Sequence, residues 1–324
     1  MHDRPAAIAI EPQAENLMVA EVRLRLWHLC HSDPDRPLVI LLHGMRDVSR
    51  SLLPVARALQ AQFNVVLFDQ RGHGESDYPG AYTLEHFYFD LHQVIEHLQQ
   101  DHPARPLGLV AHSLGGQIAS RYAGLFASQV QGLLLVEGLG PPDPTWPDVE
   151  PDYWQDLDRY RALVLERFAL PSRLRALPDQ AFAAQRLLHN NPRLTPARAR
   201  AIAEVATIQR TVDGEPQWHW AFDPRVASTF VGFSEESSQR LWQAVTAPVL
   251  TITGDLAEEY WRGAMLYGAD YKGRFQPGEY EARIAPFANI RHERFEGSGH
   301  MVHFDEPERL AATAVAFMAT ALGA

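Results

Sequence analysis

Hydrophobic positions in this chain follow two periods that alternate along its length. Continuous apolar runs at Leu38–Leu42, Val65–Phe68, Leu107–Ala111, Gly132–Val136 and Val249–Thr253 read as strands buried on both faces. Between them the spacing changes to that of helices with one apolar face. A helix is predicted over about residues 51–62, a second carries Leu84, Phe87, Leu91, Val94, Ile95 and Leu98, and a third Ile118, Ala119, Tyr122, Ala123 and Phe126. Residues 17–30 predict a strand pair and residues 290–295 a last strand. A closing helix turns Leu310, Ala314, Phe317, Met318 and Ala321 inward, with Asp305 and Glu308 as its capping pair. Strands alternating with helices predict βαβ units on a parallel sheet.

The alternation stops at Gly140. Pro141, Pro142, Pro144, Pro147 and Pro151 mark a linker, and a mainly helical stretch follows before the core pattern returns after Pro248. Within that stretch, Thr195-Pro196 is a helix start. Trp218, Trp220 and Phe222 alternate as on one face of a strand.

Composition changes this picture little. With 324 residues, 46% apolar and 21% charged, the chain is an ordinary globular protein. A net charge of −11 argues against nucleic acid and anionic membranes as partners. The single cysteine, Cys30, excludes an internal disulfide and fits a buried structural thiol in a reducing compartment. No basic segment leads into an apolar leader and no apolar run reaches membrane-spanning length, so the expected location is cytoplasmic. The fifteen histidines include no HExxH and no Cys/His cluster, and neither a metal nor a cofactor is expected.

The chemistry concentrates where the third apolar run breaks off. Leu107-Gly-Leu-Val-Ala-His-Ser-Leu-Gly-Gly116 takes a buried strand straight into a helix through Ser113. A serine on such a tight turn is a nucleophile elbow, its Oγ thrust above the sheet edge. Small residues must flank it, and Ala111 and Gly115 do so, giving A-x-S-x-G. Read alone, the segment is equally an ordinary turn with a serine helix cap.

Three further landmarks follow the expected order: His43-Gly44, Asp69-Gln-Arg-Gly-His-Gly-Glu-Ser76 and Gly297-Ser-Gly-His300. With them the chain resembles the α/β-hydrolase superfamily over almost its whole length. The resemblance implies an α/β fold, a mostly parallel central sheet flanked by helices with an inserted, mainly helical cap. It divides the chain into a first core part (1–140), a cap (141–243) that chooses the substrate, and a second core part (244–324). Ser113 becomes the nucleophile, and His300, on a loop loosened by Gly297 and Gly299, the base. Epoxide hydrolases and haloalkane dehalogenases carry aspartate at the position of Ser113, which argues against those two chemistries. His112 and His303 read as packing or hydrogen-bonding residues, His43 as a support of its loop, and Asp69, Arg71 and Ser76 as braces.

The acid is open. In most relatives it stands three residues beyond the glycine that ends the strand here closed by Gly254, which is Ala257 in this chain. Glu137 ends the strand before the cap, as the acid does in haloalkane dehalogenases, and a glutamate there is expensive to bury without a partner. Glu137 is therefore the first choice, Asp255 the second and Glu258 the third. The oxyanion hole falls to the backbone N–H groups of Met45 and Leu114. The expected activity is cofactor-independent hydrolysis of a small-molecule ester or related acyl bond, with Trp146, Trp154, Trp218 and Trp220 favouring hydrophobic or aromatic groups. The alternative is a small-molecule sensor on the same fold, which the missing carboxylate at 257 keeps open.

Overall fold

The computed structural model describes residues 11–143, 157–172, 175–231, 233, 235–264 and 271–324. Three of the linker prolines (144, 147 and 151) and both Trp146 and Trp154 lie outside them. The described strands are β1 (Gln13–Val19), β2 (Val22–Leu29), β3 (Leu38–Leu42), β4 (Asn64–Asp69), β5 (Leu107–His112) and β6 (Gly132–Val136), then β7 (Thr207–Val212), β8 (Glu215–Trp220), β9 (Val249–Gly254) and β10 (Ile290–Phe295). The helices before the linker are α1 (Leu53–Leu59), α2 (Leu84–Gln99) and α3 (Leu114–Leu125). Beyond it come α4 (Leu157–Phe168), α5 (Gln180–Asn190), α6 (Pro196–Ala206), α7 (Glu235–Gln243), α8 (Glu258–Ala264), α9 (Glu279–Ile284), α10 (Val302–Asp305) and α11 (Pro307–Leu322).

Eight strands form one sheet in the order β1-β2-β4-β3-β5-β6-β9-β10. Strand β2 is antiparallel to both its neighbours, β1 and β4, and the remaining neighbours are parallel. Every residue of β3, β5 and β6 is buried, as their unbroken apolar runs require. Edge strand β10 keeps its middle in solvent, which is why Arg291, His292, Glu293 and Arg294 are tolerated there. One core layer packs α2 and α3 on the sheet, and the opposite layer packs α1 and α11. The carboxyl ends of β3, β5, β6 and β9 therefore share one edge, and their loops meet above it.

Several details depart from the sequence reading. The capping pair does not form: α11 starts from Glu306 without a side-chain cap, and Asp305 turns to the Gly299 N–H instead. Cys30 lies just beyond β2 and is half-buried, its Sγ near the Val65 carbonyl. In β8 the buried residue is His219, while Trp218 and Trp220 on either side are half-buried. Phe222 lies past the strand in a bridge to His73. Helix α7, which the sequence reading assigns to the cap, packs on core helix α3. Its Trp242 is fully buried, donates to Ser120 Oγ at 3.0 Å and stacks on Phe287.

The inserted segment has its own small core, with Ala183, Ala184, Ala199, Ile202, Ala203 and Ala206 closing over Val48 and Phe304 of the main body. Polar ties hold it down. Asp223 accepts from Tyr82 Oη at 2.8 Å, and Arg193 pairs with Asp305 and Glu259, each at 2.9 Å. No helix among the described residues is long and apolar enough to cross a membrane.

Candidate active site

The β5–α3 junction is strained in the way an elbow requires. Ser113 has φ +51° and ψ −114°, a conformation that side-chain-bearing residues rarely adopt. Its neighbours permit the turn by lacking bulk. A Cβ on Gly115 would come within 2.6 Å of the Leu42 carbonyl oxygen, and one on Gly116 within 2.4 Å of Gly138 Cα. The turn after β6 is taken at Glu137 itself, with φ +50°, and Gly138 serves the close approach to α3.

The three side chains meet in one line. Ser113 Oγ is 3.1 Å from His300 Nε2, and His300 Nδ1 is 3.1 Å from Glu137 Oε2. The second carboxylate oxygen of Glu137 accepts the Gly254 N–H at 2.8 Å. A carboxylate on Nδ1 fixes the tautomer, so that Nε2 accepts the serine hydroxyl. Asp255 does not join them: its Oδ1 accepts the Gly297 N–H at 2.7 Å at the surface, buttressing the histidine loop. Glu258 lies at the start of α8 and pairs with Arg262. Ala257, where a carboxylate is usual, is buried against Trp261 and Tyr271.

Burial dominates the electrostatics of the pair. It pushes the Glu137 carboxyl up and the His300 imidazole down, since each loses water that would solvate its charge. The Gly254 N–H opposes the rise at Glu137. So does the Trp261 indole N–H, which has no hydrogen-bond partner among the described residues but lies close enough to favour the ionised carboxylate.

Neither the Met45 nor the Leu114 N–H is bonded to an acceptor among the described residues, whereas the Ser113 and Gly115 N–H groups bond Val136 and His43 carbonyls. The loop bearing Met45 is locked from below. His43 donates Nδ1–H to the Gly44 carbonyl at 2.8 Å, so its Nε2 accepts the Gln70 N–H at 3.0 Å. Asp69 accepts from Ser49 N–H and Oγ–H and from the Glu75 N–H. Arg71 forms a buried two-pronged pair with Asp90 at 2.7 and 2.6 Å.

Two histidines back the site. His112 Nε2 donates to the His300 carbonyl at 3.0 Å, and His303 Nε2 donates to Asp47 Oδ2 at 3.1 Å. Asp47, His112 and His303 place metal-ligating atoms within 4.8 Å of one another. Asp47 and His303 already bond each other there, and Ser51 Oγ donates to Asp47 as well. What sequence reasoning missed is α8: Tyr260 stacks on His300 and Trp261 meets the same ring edge-on. The only signal was two adjacent aromatics soon after β9.

Fold and site together define the class. The sequence matches the alpha/beta hydrolase family over residues 39–313, and the chain belongs to that family. It is 36% identical over 97 residues to "Probable oxidoreductase EphD" of Mycobacterium tuberculosis, a match covering 29% of this chain and 16% of the relative. It is 23% identical over 308 residues to "Epoxide hydrolase 3" of Mus musculus, covering 93% of this chain and 75% of the relative. Among solved structures, the "Thioesterase Domain From Curacin Biosynthetic Pathway" superposes with a TM-score of 0.72 at 22% identity, covering 93% of this chain and 98% of that domain.

Proposed function

We propose that this protein is a serine hydrolase that cleaves a small-molecule ester or related acyl bond through an acyl-enzyme. The observation that carries the reading is the unbroken hydrogen-bonded line from Ser113 Oγ through His300 to Glu137. In this reading His300 Nε2 takes the Ser113 proton as Oγ attacks a carbonyl carbon. The Met45 and Leu114 N–H groups receive the oxyanion, and Glu137 stabilises the imidazolium. The protonated His300 then protonates the leaving group, and the same residues activate water to release the acid. A serine rather than aspartate at 113 sets this chemistry apart from the epoxide opening that one relative's name indicates. The sensor alternative rested on a missing carboxylate, and a carboxylate 3.1 Å from Nδ1 leaves it without that argument.

The test is labelling with a fluorophosphonate probe together with turnover of p-nitrophenyl esters of graded acyl length. Wild type should be labelled at Ser113 and turn over at least one ester. Ser113→Ala should lose the label and about 10⁴-fold or more in kcat. An unlabelled wild type, or a Ser113→Ala enzyme of near-normal rate, refutes the reading.

A further inference from the structure

Helix α8 starts where the carboxylate of such a site is usual, and it delivers two aromatic rings to the histidine instead. The Tyr260 ring lies flat on the His300 imidazole, centroids 4.0 Å apart and planes 9° from parallel. Trp261 meets the same ring at 4.4 Å and 67°. Trp261 is 7% exposed and packed with Ala257 and Tyr271, so it is an anchored wall; Tyr260 is 38% exposed. His300 itself is 2% exposed, and water reaches little of its ring.

We propose that Tyr260, braced by Trp261, is a positioning residue of the acyl-transfer reaction, its ring face stabilising the His300 imidazolium that forms as Ser113 attacks. The proposal rests on the serine-hydrolase reading above. A π face attracts a cation and gains little from a neutral imidazole, so the contact strengthens as the charge develops. Stacking also stops the ring rotating, which keeps Nε2 on Ser113 and Nδ1 on Glu137 at once. This helix thus contributes one ring face, that of Tyr260, to the charge to which Glu137, at the end of β6, contributes a carboxylate.

Other groups act on the same imidazole. Glu137 faces it from β6, Ser113 and His112 from the β5 turn, and His303 from α10, while Arg46 of the oxyanion loop acts on Tyr260. Glu137 favours the imidazolium, whereas His303 and burial oppose it. None of these changes when Tyr260 alone is replaced.

The experiment compares Tyr260→Leu with Tyr260→Phe. Leucine keeps the site covered without a π face, and phenylalanine keeps the face. Steady-state ester hydrolysis is measured against pH, and the His300 imidazole is titrated by NMR, assigned by difference with His300→Gln. Tyr260→Leu should lose roughly tenfold to thirtyfold in kcat with KM little changed, and Tyr260→Phe should restore the rate to within about threefold. In the NMR titration the leucine variant's imidazole should titrate about one unit lower than the phenylalanine variant's, with the acid limb of kcat/KM moving the same way. Equal kcat and equal titration in the two variants overturn the proposal. The titration needs no turnover, so the two failures are distinguishable: an enzyme unlabelled by fluorophosphonate refutes the hydrolase reading even if the variants titrate differently, whereas a labelled enzyme whose variants titrate alike overturns the role of Tyr260 alone.

Discussion

Two residues of this site hold backbone conformations that cost free energy, Ser113 at φ +51° and Glu137 at φ +50°. Both stand where a parallel strand ends and both aim a side chain at His300. The proposal of Glu137 as the acid rests on that turn. Glu137 swings off β6 toward the imidazole, while Asp255 follows Gly254 directly and is taken up by the Gly297 N–H. Glu137→Gln should therefore lower kcat by about 10⁴-fold, because a buried amide no longer stabilises the imidazolium or fixes its tautomer. Asp255→Asn should cost less than about tenfold. Steady-state kinetics on one ester decides between them, and the reverse ranking would move the acid to Asp255.

At the scale of elements, the site depends on how closely β6 and α3 approach. Gly116 and Gly138 meet backbone to backbone, with no flexible side chain to move aside. Gly116→Ala should destabilise the protein by about 1–3 kcal/mol through overpacking, despite the better helix propensity of alanine. Urea unfolding of the variant measures this, and an unchanged midpoint would contradict the close approach. The histidine loop is set the same way, by elements distant in sequence. Asp305, at the end of α10, accepts the Gly299 N–H at 2.7 Å, and Arg193 from the inserted segment holds that carboxylate. A capping role for Asp305 was the local reading, and a tertiary partner outcompeted it.

Across the whole molecule, buried imidazoles make the fold sensitive to acid. His73 donates Nδ1–H to the Arg71 carbonyl and accepts the Arg46 N–H on Nε2, so protonating Nε2 would set two donors against each other. Burial, its leading cause, lowers its pKa from 6.5 to about 3. His43 and His112 are lowered as well, again chiefly by burial. The unfolded chain takes up these protons below pH 6.5 while the folded chain does not, so stability falls with pH through that window. His73 alone should account for roughly 3 kcal/mol lost between pH 7 and pH 4. The melting temperature should hold above about pH 6.5 and drop steadily below it. Replacing His73 with glutamine should flatten the drop, and a slope unaltered in that variant would exclude His73 as a source.

The amino-acid sequence by itself determined the parallel strands, the elbow at Ser113 and the place of His300, because each is written in a local pattern. Buried runs need no partner to be recognised, and the small residues around Ser113 and His300 are demanded by turns a few residues long. Only the tertiary structure decided which carboxylate faces His300, that α7 packs with the core, and that Tyr260 covers the imidazole. Glu137 and His300 are 163 residues apart along the chain. Their meeting depends on β6, β9 and β10 lying side by side in the sheet and on how the chain turns after β6 and after β10. Spacing along one segment carries no record of such a meeting, since it is fixed by packing between segments.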